Sequence, residues 1–475
     1  MSPGPPAFGL RRPVAVFGAK GERDERAHVR FSVAWAILRL LQMKLLISTY
    51  ACAPNRGSEH AVGWNWTTEA HRLGHEVWAL VSPAHRDAIE DASQSDPVAR
   101  GIHWIFPELS YWPLQPAKEP KWERTYNLLW QRAALRSARE LERRIGFDAI
   151  HHLTWAGVRA PTFLGSLGPP LIIGPIGGGE TSPSSLRDGF GLRDRILETL
   201  RDLSNATITI NPLVRGGLSH ASIIFASTTD TRNLFRGALR KKTAVFSQLG
   251  IQKGQLGSLR TARQTPPRLL YAGRLLYWKG VHIALEAFAK LLTKVPNARF
   301  TIVGTGPEEA RLKADSVIRK IKDNVDFISW LPQGNLFELY DSHDLLLFPS
   351  LHDSGGFVVL EALCHGMPVV CLDLGGPKEV VTPESGLIIK TDGRNTSQVA
   401  SSIANEVYNI LRSPETLAQL SSGAISRASD FILQSRVATF YQEALRYIDS
   451  DPTCSAPPLA PFRAQPTLTP SAGGA

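Results

Sequence analysis

Two acidic side chains stand eight positions apart, on either side of a glycine pair. Asp353 opens the turn-like stretch DSGG, and Glu361 lies inside the apolar stretch FVVLEALCH, which we predict to be a short helix because a glycine and a proline follow it. Backbone amides of Gly355 and Gly356 at the helix start could receive a phosphate, which the two carboxylates would repel. The acids are better suited to accept hydrogen bonds from hydroxyl groups such as the cis-diol of a ribose. Taken alone, Glu361 is more typical of a solvated surface residue.

Two cations follow an earlier apolar run. Arg274 and Lys279 lie in RLLYWKG, directly after the predicted strand RLLYAG. An arginine fork and a lysine point charge suit a diphosphate. The alternative is a pair of exposed charges at a helix start, but the helix dipole disfavours cations there. We therefore interpret both as ligands of an anion.

Other candidate positions lie in glycine-containing turns. Gly304 and Gly306 fall between a predicted strand and a helix, and helix capping explains this segment as well as ligand binding does. Gly57 and Ser58 lie in a loop where Ser58 could cap the following helix or the loop could approach a ligand. The glycine-rich turn at 174–180 permits close approach of the backbone to a ligand.

These turns must be positioned by two successive α/β domains. Short apolar runs alternate with helical segments over residues 43–250 and again over 268–449, which predicts two doubly wound, Rossmann-like domains with parallel sheets. Residues 251–267 are polar and are predicted to be the linker, and the last helix before residue 449 is a candidate to pack back on the first domain. Residues 450–475 are predicted to be a disordered tail.

The extension over residues 1–42 admits two interpretations. Its apolar stretch FSVAWAILRLLQ is shorter than the roughly 20 residues that a membrane span needs. It is either an amphipathic helix or a segment upstream of the native start, since Met43 opens a natural first strand; we favour the second. The aromatic segment 103–130 could shape an acceptor groove, face a membrane or pack in the core.

Charge and cysteine content restrict the function further. The net charge of +10 favours anionic partners. No nucleic-acid-binding module accompanies that charge, so we predict no nucleic-acid partner. The four cysteines are scattered without metal-ligand spacing, which fits a reducing cytosol. Neither domain's first strand opens into a GxGxxG turn, which argues against a dehydrogenase.

Five stretches of the chain resemble a known family. YAGRLLYWKG, VGTGPEEARL, ISWLPQGNLFELY, DLLLFPSLHDSGGFVVLEALCHGMPVV and LGGPKEVV are similar, in order and separation, to the donor-domain blocks of the family 4 (group 1) glycosyltransferases. The resemblance covers most of residues 43–445 and is strongest in the second half. It implies the GT-B fold, in which two Rossmann-like domains face a central cleft that binds a nucleotide sugar.

The resemblance implies roles for residues of the second domain. Arg274 and Lys279 would hold the donor diphosphate, and Glu361 would bind the donor ribose. Asp353 would lie near the transferred sugar, at a position where the family usually has glutamate. The remaining donor-binding positions implied in this domain are Gly304, Gly306, Leu331 beside the base, Ser354, Gly355, Gly356 and Phe357.

In the first domain the resemblance is less specific. His151, in FDAIHHLT, would lie beside the transferred sugar, although a histidine there is more often a hydrogen-bonded structural residue. The loop with Gly57 and Ser58 would approach the donor phosphates and the acceptor. The turn at 174–180 resembles a block found in a subset of the family.

The activity that the resemblance implies is that of a retaining, metal-independent glycosyltransferase without a cofactor. It would move a hexose from a UDP- or GDP-sugar to a glycan or lipid-linked acceptor in polysaccharide or glycolipid biosynthesis, in the cytoplasm. Peripheral contact with an anionic membrane at its inner face stays open. No metal site is predicted, because the Asp449–Asp451 pair does not follow a strand. The alternatives are a GT-B nucleotide-sugar epimerase that hydrolyses its donor and a non-catalytic nucleotide-sugar binding protein.

Overall fold

The computed structural model describes residues 42–109, 123–208, 210–257 and 264–449. The predicted extension, except residue 42, and the predicted tail therefore lie outside the described residues. So do part of the linker and the middle of the aromatic segment 103–130.

The first domain is built on a seven-stranded parallel sheet with the order β3-β2-β1-β4-β5-β6-β7. Its central strands are buried along nearly their whole length, because helices cover both faces. The strand order reverses between β1 and β4, and this point opens a crevice at the carboxyl ends of the strands. The strands are β1 Lys44–Thr49, β2 Glu76–Leu80, β3 His103–Ile105, β4 Ala149–Thr154, β5 Leu171–Ile176, β6 Ile223–Ala226 and β7 Thr243–Val245.

The helices of this domain bury apolar residues at helical spacing. In the first of them, Val62, Trp66 and Ala70 are buried and lie four positions apart, so they form one face against the sheet. The helices are α1 Glu59–Arg72, α2 Arg86–Ser95, α3 Pro97–Arg100, α4 Glu123–Ile145, α5 Leu192–Ala206, α6 Pro212–Ser219, α7 Thr229–Asn233 and α8 Gly237–Lys241.

The second domain has a six-stranded parallel sheet with the order β10-β9-β8-β11-β12-β13. The order reverses between β8 and β11, so the segments after these two strands meet at one crevice. The strands are β8 Arg268–Ala272, β9 Arg299–Val303, β10 Val325–Ile328, β11 Leu345–Phe348, β12 Val369–Leu372 and β13 Gly386–Ile389. The helices are α9 Val281–Leu292, α10 Glu309–Ile318, α11 Gln333–Ser342, α12 Phe357–Cys364, α13 Pro377–Val380, α14 Thr396–Leu411 and α15 Pro414–Ser429.

The last described helix, α16 Leu433–Asp449, returns to the first domain. Val437, Phe440, Tyr441 and Ala444 are buried in the same apolar cluster as residues of β1, β5 and β6. The chain passes between the domains twice, near Ile251 and near Ile432. These two segments run side by side, because Ile251 and Ile432 form a parallel β-bridge. The predicted class, two parallel-sheet Rossmann-like domains, is confirmed. Within the described ranges, no helix is both long and apolar enough to span a bilayer.

Candidate active site between the two domains

The turn that contains Asp353 is packed tightly against a second glycine turn. It follows β11 and leads into α12, where Gly356 caps the helix with a φ of 83°. A Cβ atom on Gly375 would lie 2.5 Å from the carbonyl oxygen of Asp353, and one on Gly376 would lie 2.6 Å from that of Ser354. Both positions therefore require glycine, and the LGGP stretch fixes the turn from behind.

Asp353 forms an ion pair with Lys279. Lys279 ends the short 3₁₀ turn Tyr277–Lys279 after β8, and its ammonium also lies 5.3 Å from the centre of the Phe348 ring. Each side chain of the pair is only 17% exposed, so the pair is screened less than a surface ion pair. The acid predicted at the sugar and the cation predicted at the diphosphate thus contact each other. Arg274 is exposed in the neighbouring loop.

Glu361 is a half-buried acid and not a solvated surface residue. Its Oε2 accepts a 2.9 Å hydrogen bond from the Tyr340 hydroxyl group. Loss of hydration raises the pKa of Glu361, although the Tyr340 bond opposes that shift. Such a preoriented carboxylate can accept further hydrogen bonds from ligand hydroxyl groups.

Gly304 and Gly306 allow the ends of β8 and β9 to touch. A Cβ on Gly304 would collide with the carbonyl oxygen of Gly273, and one on Gly306 with that of Leu275. Arg274 lies between these two carbonyl groups, so the glycines position the loop that carries it. Close backbone packing explains both glycines, which the sequence left open between capping and ligand binding.

The remaining second-domain positions surround the start of α12 and the end of β10. Ser354 is half-buried, Gly355 and Gly356 are buried, and Phe357 is half-buried between the two apolar cores. Leu331 packs partly against the second core, beside Trp330, whose side chain is among the most exposed large apolar groups described.

The glycine-rich turn of the first domain meets the Asp353 turn across the domain boundary. A Cβ on Gly177 would lie 2.7 Å from Cβ of Ser354. Glu180, which is buried, holds this glycine turn: its Oε1 accepts 2.7 Å hydrogen bonds from the hydroxyl groups of Thr228 and Thr231. The turn is thus a rigid wall opposite the start of α12.

The prediction for His151 requires correction. It lies in the middle of β4, is fully buried, and stacks on Phe440 of α16. Nδ1 lies 3.0 Å from the Tyr441 hydroxyl group and Nε2 lies 2.7 Å from the Gly174 carbonyl oxygen. Because both ring nitrogens have protein partners, neither is left for a sugar. Burial lowers the pKa of His151 to about 4, so the ring is neutral.

Gly57 and Ser58 lie in an exposed loop at the mouth of the cleft. Ser58 has a φ of 59° and makes no side-chain capping bond to α1, so the capping interpretation is wrong. The next residue, Glu59, instead accepts a hydrogen bond from the backbone N–H of Trp155, which directly follows β4. This contact ties the loop after β1 to the loop after β4, at the crevice of the first sheet.

Beside that crevice lies a set of buried polar groups on α4. The Tyr50 ring packs 5.1 Å from both the Trp130 and Trp155 rings. Among the described residues, no partner exists for Asn127 Nδ2, Trp130 Nε1 or either amide atom of Gln131. Unpaired buried polar atoms are costly, so this set of polar groups is a candidate for contact with a polar ligand.

Sequence reasoning missed Glu198, which reaches from the first domain into the second. This buried acid accepts hydrogen bonds from His352 and Tyr277, the neighbours of the Asp353 and Lys279 segments. It lies in α5 among charged and apolar residues, and no local pattern distinguishes it. In the part of the chain that the structure describes, no three His, Cys, Asp or Glu side chains cluster as metal ligands.

The sequence similarity to known proteins lies mainly in the second domain. Residues 260–427 match the family model described as glycosyl transferases group 1. The D-inositol 3-phosphate glycosyltransferase of Thermobispora bispora is 32% identical over 193 residues, 38% of this chain and 44% of that protein. Glycogen synthase of Mycobacterium tuberculosis is 31% identical over 169 residues, 36% of this chain and 41% of that protein. The chain thus spans less than half the length of these curated relatives.

Solved structures match both domains. Sucrose-phosphate synthase of Thermosynechococcus elongatus has a TM-score of 0.58 at 16% identity, covering 86% of this chain and 99% of that one. HepE of Anabaena, solved with UDP, has a TM-score of 0.54 at 17% identity, covering 85% and 100%. At these identities the likeness establishes the fold. The chain therefore has the GT-B fold, and its residues 260–427 are similar to the group 1 glycosyl transferases.

Proposed function

We propose that this protein is a retaining, metal-independent glycosyltransferase that moves a hexose from a nucleotide sugar to a glycan or lipid-linked acceptor. The observation that carries the proposal is the convergence of Arg274, Lys279 and the amino end of α12 at one crevice, opposite the glycine turn of the first domain. Two cations and the backbone N–H groups of a helix start suit a diphosphate.

The cations would also stabilise the leaving group. As the bond between the sugar C1 and the phosphate oxygen breaks, negative charge develops on the diphosphate, and fixed positive groups favour that state. Lys279 is held by Asp353 in the described structure. A donor phosphate would share this ammonium, and Asp353 would then accept hydrogen bonds from the sugar hydroxyl groups.

Glu361 would bind the donor ribose. Its carboxylate is oriented by Tyr340 and lies on α12, about one helical turn after the phosphate-binding turn. Leu331 would lie beside the base. The solved structure of HepE with UDP supports a uridine nucleotide as the first donor to test.

Retention of configuration follows from a front-face path. The acceptor oxygen would form its bond to C1 on the face that the phosphate leaves, and the acceptor hydroxyl proton would pass to the departing phosphate oxygen. This path needs no protein nucleophile, which agrees with an Asp353 carboxylate already paired with an ammonium. The acceptor would enter at the first-domain crevice, where the unpaired groups of Asn127 and Gln131 suit hydroxyl groups.

The buried, unpaired state of Cys52, Cys364 and Cys371 supports a reducing compartment such as the cytosol. Unpaired polar groups near the first-domain crevice suit an acceptor with many hydroxyl groups. We therefore favour a role in polysaccharide or glycolipid synthesis.

A thermal-shift screen with UDP-, GDP- and ADP-glucose, followed by a transfer assay, tests the function. A ligand at about one hundred times its Kd stabilises the native state by about 2.7 kcal/mol, enough to identify the donor. We expect one nucleotide sugar to bind and to yield a glycosylated product with retained configuration, undiminished by EDTA. Release of free sugar without transfer would favour the hydrolysing epimerase, and binding without turnover over a broad acceptor panel would favour the non-catalytic alternative.

A further inference from the structure

Helix α5 exposes an apolar stripe to solvent. Leu192, Ile196, Leu200 and Leu203 follow one another at intervals of four, four and three residues, so they share one face. Their relative exposures are 79%, 52%, 56% and 61%. Leu197, at the border of the stripe, is also exposed.

The opposite face of α5 is polar and points into the protein. Its buried residues are Glu198 and Asn205. Glu198 bonds to His352, and the Asn205 amide donates to the Gly179 carbonyl oxygen at 3.0 Å. A surface helix of a globular protein normally has the reverse orientation, with its apolar face inside. The apolar stripe on α5 is therefore directed outward, away from the cores of both domains.

Basic residues flank this face, although the helix also has the acids Asp194 and Asp202, of which Asp202 is paired with Arg187 at 2.8 Å. Arg193 is exposed beside the stripe, and Arg215 is exposed one turn after the helix junction, where Ile210 is 73% exposed. From Leu203 through Lys242 the sequence contains six arginine or lysine residues, including Lys242, and a single acid, Asp230. Arg215, Arg236 and Lys242 line one pocket. The surface thus combines apolar anchors with a positive border.

We propose that α5 and the adjoining basic surface dock on an anionic lipid bilayer. A helix with one apolar face and basic flanks lies at the membrane interface, with its apolar side chains among the acyl chains and its cations at the headgroups. A second copy of this chain is the other occupant that an apolar stripe could take, and the dye experiment below distinguishes it from a bilayer. Docking is independent of the transfer reaction, so either proposal can fail alone.

Vesicle cosedimentation tests the surface. The purified protein should bind vesicles of phosphatidylglycerol and phosphatidylethanolamine and should bind pure phosphatidylcholine at least tenfold more weakly. Combining Leu192→Gln, Ile196→Gln, Leu200→Gln and Leu203→Gln keeps good helix formers and should lower binding to the anionic vesicles at least tenfold. The matched control, Val317→Gln with Ile318→Gln, alters exposed apolar residues of the second domain and should bind like the wild type.

A labelled variant reports the contact without altering the whole stripe. Leu200→Cys in a Cys454→Ser background can carry an environment-sensitive dye, since Cys52, Cys364 and Cys371 are buried. The dye emission should shift to the blue with anionic vesicles and stay unchanged with phosphatidylcholine. Equal vesicle binding by the fourfold variant would overturn the proposal. So would dye emission already shifted without lipid, because the stripe would then be covered by another segment of the chain or by a second copy.

Discussion

Glu198 Oε1 lies 2.8 Å from Nε2 of His352, in a buried contact between α5 of the first domain and the residue before Asp353. Burial acts to raise the pKa of Glu198, but the hydrogen bonds from His352 and Tyr277 hold it at about 2. Burial lowers the pKa of His352. The contact is therefore a hydrogen bond that the His352 imidazole donates to the Glu198 carboxylate. It holds the Asp353 turn and the Lys279 turn against the first domain.

Glu198→Ala should loosen that arrangement. It leaves the buried His352 and Tyr277 donors without an acceptor and removes a third, longer hydrogen bond from the Ser182 backbone N–H. We therefore expect the free energy of unfolding to fall by about 3 kcal/mol. The transfer kcat should fall at least tenfold, while KM for the acceptor should change little. Chemical denaturation and steady-state kinetics measure both effects.

Glu198→Gln is the matched control, because its amide oxygen can still accept from both donors. It should recover most of the stability and most of kcat. If Glu198→Ala lost stability but kept full kcat in its folded fraction, Glu198 would be a packing residue without influence on the donor site.

Glu361→Ala should weaken donor binding about tenfold or more, because it would remove the charge-assisted hydrogen bonds that we propose between Glu361 and the ribose. Calorimetric titration with the donor identified in the screen measures the effect. Tyr340→Phe retains the carboxylate and should weaken binding less. Wild-type affinity and rate in Glu361→Ala would exclude the ribose assignment.

The contact between the Lys279 turn and the Asp353 turn could be anticipated from the sequence, because the two turns follow neighbouring strands of one parallel sheet. The turns with Arg274 and Asp353 each follow a strand of one sheet, and strand order alone places both at one crevice. His151 failed because its environment is set by Phe440 and Tyr441, which lie almost 300 positions away. Glu198 could not be predicted for the same reason: its partners lie in the other domain, and no pattern in its own helix indicates them.

Lys279→Ala should lower kcat about 10²-fold, if the ammonium stabilises the departing diphosphate to the extent typical of such donors. It also leaves Asp353 without its counter-ion in a site that is only partly solvated. Measuring kcat and donor KM for Lys279→Ala and for Lys279→Arg separates these effects, since arginine restores the charge with a different geometry. A kcat within twofold of the wild type in Lys279→Ala would remove Lys279 from the reaction.

Asp353→Glu tests the departure from the family pattern. The longer acid reaches further from the same turn, so we expect it to retain transfer and to change the relative kcat/KM among donor sugars. Asp353→Asn removes the charge and should reduce transfer at least tenfold for every donor. Identical donor preference in the wild type and Asp353→Glu would show that the acid at this position does not select the sugar.

His152 should make the protein sensitive to acid. It is buried in β4 beside His151, and neither of its ring nitrogens has a partner among the described residues. Burial lowers its pKa to about 3, whereas in the unfolded chain it titrates near 6.5. The unfolded state therefore binds the extra proton first, and stability is full above pH 6.5 and falls as the pH drops towards 3. At pH 5 this residue alone should cost about 2 kcal/mol of folding free energy.

His152→Leu should reduce the difference in Tm between pH 7.5 and pH 5, measured by calorimetry. An unchanged difference would mean that other buried histidines cause the acid sensitivity. His282, whose pKa burial lowers to about 4, is the next histidine to replace.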